Sequence, residues 1–284
     1  MLLILFRLLS LFPLSVLQML GRVGGRLVFA LPGRYRDRLI SNASQAGYGG
    51  ARFAREAAAQ TGAMIMELPR VWLKTAQCLD LICGDEEYIL RDAQQSGRGI
   101  LFLTPHLGCF EMSARHGARS HPLTVMFRPP RQALLAPLMQ AARNASGVTA
   151  VPANMQGVRE FLKALKRHEA VGMLPDQVPR EGEGVWAPFF GREAWTVTLP
   201  GKLAKMTNAI VIVAACERLP HGRGWRMHYL RAPDTLPDDP REQAMLFNGM
   251  MEKLIARFPT QYLWGYHRYK RPKHVAAPSD EAHA

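Results

Sequence analysis

Short, unbroken apolar runs set between glycines and helical stretches constrain this chain more than any other feature. Gly97-Arg98-Gly99 leads into Ile100-Leu101-Phe102-Leu103, a run too short for a helix and free of polar alternation. That is the pattern of a strand buried on both faces. It recurs at 123–127 (LTVMF), 148–152 (VTAVP), 170–175 (AVGMLP) and 209–217 (AIVIVAACE). Helical periodicity fills the gaps. Val158, Phe161, Leu162 and Leu165 fall at i, i+3, i+4 and i+7, with Arg159, Lys163 and Lys166 on the other face. Phe247, Met251, Leu254, Ile255 and Phe258 repeat the signature, and residues 51–83 read as helical with a break at Pro69. Strands alternating with helices predict an α/β fold, a mostly parallel central sheet flanked by helices. Such sheets place their chemistry at the carboxyl ends of the strands.

The amino terminus does not fit that pattern. Residues 2–20 are almost wholly apolar, interrupted by Arg7 and Pro13. The stretch from Arg7 to Arg22 is shorter than the ~20 residues that cross a bilayer comfortably. A cleaved signal peptide ending at Val28-x-Ala30 is opposed by Arg22 and Arg26, which lie between the apolar run and the cut. A single-pass anchor with Arg7 reaching one interface remains open; a helix lying in the interface suits the length and the arginines better. Leucine on every face argues against a core helix. The chain therefore divides into a membrane-anchoring segment at 1–31, an α/β domain at 32–273 and a disordered tail at 274–284.

With 36 Lys+Arg against 23 Asp+Glu the net charge is +13, which favours anionic partners. No aromatic-basic stacking motif or groove-reading helix points to nucleic acid. Cys78, Cys83, Cys109 and Cys216 form no metal or disulfide spacing, and read as reduced thiols in a protein facing the cytoplasm.

The strand at 100–103 runs into Thr104-Pro105-His106-Leu107-Gly108-Cys109-Phe110-Glu111. His106 falls at the carboxyl end of a strand and Glu111 in the first turn of a following helix, a favourable place for a carboxylate. The bend between them lets the carboxylate turn back toward one imidazole nitrogen, leaving the other as a base. Such a base suits the deprotonation of an alcohol attacking a thioester. Gly108 and Cys109, at the helix start, are candidates to hold the oxyanion. Cys109 as a nucleophile is the rival chemistry; we read it as packing. Arginine suits phosphate, and Asp176, which follows a strand, either orients an arginine or caps a turn. The segment 186–196 is acyl groove or ordinary core. Arg268, Lys270, Arg271 and Lys273 read as a solvated face, or one drawn to anionic lipid.

Taken in order, TPHLGCFE, FRPPR at 127–131, Arg143, LPDQVP at 174–179, WAPFFGREAWT at 186–196 and FPTQYLWGYHRYKRP at 258–272 resemble the late acyltransferases of lipid A biosynthesis. The resemblance spans nearly the whole chain. It implies an enzyme on the cytoplasmic face of the inner membrane that needs no cofactor or metal. Its donor is acyl carrier protein and its acceptor a hydroxyl of a lipid A precursor; membrane lipid is a further partner. His106 matches the catalytic base and Glu111 its partner; Arg143 and Asp176 match positions needed for activity, with Arg128 and Gln177 as further substrate contacts. Leu107, Cys109 and Phe110 stand where the family often has aromatic and Asn residues, so the acyl subtype does not carry over. Acylation of another glycolipid or a lysophospholipid is the alternative, and a non-catalytic membrane-binding protein the more remote one.

Overall fold

A computed structural model describes residues 2–84, 86–127 and 147–278. The strands are β1 (Ile82–Cys83), β2 (Ile100–Leu103), β3 (Leu123–Phe127), β4 (Val148–Pro152), β5 (Ala170–Met173), β8 (Ile210–Arg218) and β9 (Trp225–Arg231). They form one sheet in the order β1-β9-β8-β2-β5-β3-β4. Neighbours run parallel except β8 and β9. A separate antiparallel hairpin, β6 (Gly184–Phe189) and β7 (Arg192–Val197), leaves the sheet after β5.

Strand order decides where a site can form. The path from β2 through α7 (Phe110–Gly117) to β3 crosses the sheet in one direction. The paths from β4 through α8 (Met155–Lys166) to β5, and from β5 through α9 (Leu199–Thr207) to β8, return in the other. Crossovers share one hand, so opposite directions put their helices on opposite faces. The core agrees. Phe102 packs with Met112 of α7 on one side, and Leu101 and Leu103 pack with Phe161 of α8 and Leu203 of α9 on the other. Also on the second side lies α10 (Pro240–Arg257), whose Asp239 side chain caps the amide of Glu242. The loops leaving adjacent strands β2 and β5 therefore diverge, opening a crevice at their carboxyl ends.

All five anticipated runs are strands. The period-2 strand β9, with Trp225, Met227 and Tyr229 buried, and the β6–β7 hairpin were not anticipated. The helix expected to break at Pro69 continues as α4 (Ala51–Leu73) to Lys74, then restarts as α5 (Thr75–Leu79). Proline deletes one backbone bond near the end of α4, and buried Glu67 and Val71 hold the last turns in place.

The apolar amino terminus is two helices, α1 (Leu2–Ser10) and α2 (Leu14–Ala30), and α3 (Arg34–Gln45) follows. Among the described residues no single helix is long and apolar enough to cross a membrane; α2 and α3 pass that test only as a pair bent by 98°. One face of α2 is seated on α4 through Gly21, Gly25 and Gly62, where a Cβ would collide with the backbone of the facing helix. Its other face is bare. Met19, Leu27 and Val28 are 56%, 65% and 54% exposed. Gly25→Leu and Gly62→Leu should each destabilise the protein by about 1–3 kcal/mol, the usual cost of overpacking. Denaturant unfolding checks this, and wild-type stability in both would show that the helices are not joined there.

Candidate active site

His106 lies just beyond β2, and Asp176 just beyond β5. Seventy positions apart in sequence, they meet because their strands are neighbours. Asp176 is 2% exposed and grips His106 twice. Its Oδ2 accepts the His106 backbone N–H at 2.8 Å, and its Oδ1 lies 2.7 Å from Nδ1. An ionised carboxylate can only accept, so Nδ1 carries the proton and Nε2 presents its lone pair. Burial opposes ionisation of Asp176. The charge and hydrogen bonds of His106, with the charge of Arg268, outweigh that and hold the carboxyl below its ordinary value. Gln177 places its amide nitrogen 3.2 Å from Nε2, so an incoming hydroxyl would replace that amide at the base.

This corrects the expected partnership. Glu111 is in the first turn of α7, but its carboxylate is not on His106. Its Oε2 accepts from Trp72 Nε1 at 2.9 Å and from Arg115 Nη1 at 2.7 Å. Arg115 stands one turn along the helix and is buried; a buried guanidinium captures the nearest carboxylate. The oxyanion assignments also change. The amide of Gly108 donates to the Gln261 carbonyl at 3.1 Å and that of Cys109 to the Cys216 carbonyl at 2.8 Å. Gly108 has φ +62°, and a Cβ there would strike the Cys216 carbonyl, so glycine serves the approach of the loop to β8. Cys109 is buried, and burial pushes its thiol well above the ordinary range, which fits packing and not nucleophilic attack.

A cavity of about 1010 Å³ opens at His106 and is lined also by Glu111 and Gln177. It reaches to both sides of the sheet, touching Phe102, Leu123 and Trp72 on the α7 side and Val158, Leu162 and Leu203 on the other. That lies at the upper end of the roughly 300–1,000 Å³ of ordinary small-molecule sites. Among the described residues no group of His, Cys, Asp and Glu is arranged to hold a metal.

The bacterial lipid A biosynthesis acyltransferase family matches residues 1–271. The chain belongs to that family. It is 32% identical over 190 residues to a lipid A biosynthesis lauroyltransferase of Escherichia coli (strain K12), 66% of this chain and 61% of that protein. It is 28% identical over 183 residues to a lipid A biosynthesis palmitoleoyltransferase of the same strain, 64% of this chain and 59% of the relative. A lipid A biosynthesis acyltransferase of Haemophilus influenzae is 28% identical over 179 residues, 62% of this chain and 55% of that protein. The matched part thus spans about three fifths of the length of these curated relatives.

Within this family member, Arg128 and Arg143 lie outside the described residues. The 186–196 segment resolves to core: Ala187, Phe189 and Ala194 are buried, and none of its residues lines the cavity. Arg268 is not on a solvated face. It is buried, donating to the Trp195 carbonyl at 2.8 Å and Thr196 Oγ1 at 2.7 Å, so it pins the hairpin behind Asp176. The sequence reading also missed Arg218 and Glu67, a fully buried pair at 2.6 Å. Arg218 Nη2 reaches the Gly108 carbonyl at 3.4 Å, and its backbone N–H donates to Gln261 Oε1 at 2.8 Å. Only a glutamate inside an apolar helix signalled this in the sequence.

Glu67→Ala should cost about 3–5 kcal/mol in unfolding free energy, because it strands a buried guanidinium. A loss below 1 kcal/mol would mean that water already reaches Arg218. Asp176 predicts a pH effect. Its folded pKa is depressed, so its stabilisation is complete above the unfolded value of about 3.9 and disappears as pH falls through the folded value. Thermal unfolding of Asp176→Asn should show a flatter acid dependence than the wild type; parallel curves would refute the clamp.

Proposed function

We propose that this protein transfers a fatty acyl chain from a carrier-protein thioester to a hydroxyl of a lipid A precursor, at the cytoplasmic face of the inner membrane. The observation that carries this reading is His106. Its Nε2 opens onto a large, mainly apolar cavity while Asp176 holds Nδ1 from behind. Family membership supplies the substrate class, since the relatives are named as lauroyl- and palmitoleoyltransferases of lipid A biosynthesis.

The acceptor hydroxyl displaces Gln177 at Nε2, gives its proton to His106 and attacks the thioester carbonyl. The tetrahedral intermediate collapses with loss of the thiolate, which takes the proton back from His106. Asp176 stabilises the imidazolium formed in between, as the third member of an acid–base relay does. With the Gly108 and Cys109 amides committed elsewhere, the amides of Phe110 and Glu111 at the start of α7 are the donors we assign to the oxyanion. Glu111, oriented by Trp72 and Arg115, receives a hydroxyl of the acceptor and sets its approach. Transfer is direct; the buried, protonated Cys109 supports no acyl-enzyme.

The bare outer faces of α1 and α2 support attachment by lying in the interface. Phe6 of α1 stacks on Trp72 at 5.8 Å between ring centroids, and Trp72 in turn holds Glu111. The apolar helices therefore adjoin the α7 side of the cavity, the side from which a membrane-borne acceptor would enter.

The test is the mass spectrum of lipid A from source cells with and without an intact copy of the gene. Loss of one acyl chain is expected, and the mass difference names the chain; an unchanged spectrum would move the reading to another glycolipid or a lysophospholipid. In purified protein, His106→Ala and Asp176→Asn should each lower kcat by about 10²- to 10⁴-fold, the range for loss of general-base catalysis. Glu111→Ala should also abolish useful activity at normal expression. Retained turnover in His106→Ala would end the general-base assignment.

A further inference from the structure

The cavity has a second side that the membrane-facing helices do not reach. There it is bounded by α8 and α9, whose exposed faces are basic. Arg159, Lys163 and Lys166 lie at i, i+4 and i+7 on the exposed face of α8. Lys202 and Lys205 project from α9, which packs beside α8. The two helices carry five cations against one acid, Glu160. Glu160 pairs with Lys163 at 2.9 Å, and Lys205 meets Asp238 from outside the helices. No side-chain ion pair engages Arg159, Lys166 or Lys202 among the described residues. Met155 and Met206 stand at the rim, 69% and 66% exposed, and both also line the cavity. Away from α1 and α2 no other large apolar side chain among the described residues is so exposed. Exposed, flexible methionines ringed by like charges mark a surface that packs against a protein of opposite charge.

We propose that the α8–α9 face is the docking site of the acyl donor, an acidic protein that delivers its thioester into the cavity on a flexible arm. The inference rests on the acyl-transfer reading and adds to it the face, the charge and the route. The donor comes from water across Arg159, Lys166, Lys202 and the two methionines. The acceptor comes from the α7 side, past Trp72. They meet at His106, which stands between the two sides at the divergence of the β2 and β5 loops. An anionic bilayer fits this face less well. The apolar surface suited to a bilayer lies on α1 and α2, and the methionines of α8 and α9 are two isolated contacts and not a continuous apolar stripe.

Arg159→Glu/Lys166→Glu tests the proposal, since neither residue lines the cavity and both are exposed on α8. Initial rates are measured with the same acyl group on an acidic acyl carrier protein and on free pantetheine, across a salt series. Charge reversal should raise KM for the carrier-borne donor by about tenfold at low salt and flatten its salt dependence. Turnover of the pantetheine thioester should stay within about twofold, because the reacting groups are untouched. Unchanged KM for the carrier, or an equal loss with both donors, would overturn the docking face. So would loss of binding to anionic phosphatidylglycerol vesicles with carrier kinetics intact, which would assign the face to the membrane. A wild-type protein that uses only carrier-free thioesters would overturn the docking proposal while acyl transfer stands. Transfer from no thioester would overturn both.

Discussion

The buried ion pair between Arg218 and Glu67 is the interaction on which the site depends. Glu67 comes from α4 and Arg218 from the end of β8, and both are almost wholly removed from water. Neither charge could be buried alone. Burial works against the charge of Arg218, but Glu67 outweighs it, so its pKa is raised. Gln18 of α2 adds a hydrogen bond to Glu67 at 3.2 Å, and Gln60 accepts from Arg218 at 3.1 Å. One electrostatic knot therefore fixes an amino-terminal helix, the long helix α4 and the central sheet relative to one another.

The loop that carries His106 is tied to the same knot. Residues 106–109 are irregular, and irregular backbone inside a protein must find partners for each N–H and carbonyl. Here they come from two segments. Cys216 of β8 accepts the Cys109 amide, while Gln261 accepts the Gly108 amide and Leu263 donates to the His106 carbonyl at 3.1 Å. The Gln261 side chain bridges back to Arg218 through both its amide atoms. The imidazole is thus placed from three directions before Asp176 grips it. Such a frame lets Nε2 face a large, open cavity without the ring turning away.

Much of this was legible in the residues and some was not. The apolar runs marked β2, β5 and β8 because strands buried on both faces have no polar alternation; β3 and the edge strand β4 are less buried and were marked by their β-branched, apolar composition. His106 stood out because it follows one of those runs. Its partner did not, because strand order is not written in the chain. Nothing local says that β5 lies beside β2, so the carboxylate five residues away was chosen over the one seventy away. Arg268 was misplaced for a related reason: among Lys270, Arg271 and Lys273 it looks like one more surface cation. Its burial depends on carbonyl and hydroxyl groups of a hairpin that the pattern did not reveal. By contrast, β9 was readable. Trp225, Met227 and Tyr229 alternate with Arg226 and His228 at period 2.

The distribution of surface character follows from the same topology. Because crossovers on either side of β5 leave on opposite faces, the cavity at the switch point has two flanks built from different helices. The α7 flank meets Trp72, Phe6 and the bare leucines of α1 and α2; the α8–α9 flank carries three cations without an ion pair among the described residues and two rim methionines. The transfer proposed above, between a lipid-borne hydroxyl and a water-borne thioester, fits this separation, since neither reactant leaves its phase without a large solvation cost. Placing one base where the flanks join removes the need. On the proposed reading each substrate extends only its reactive segment inward, toward Nε2 from opposite sides.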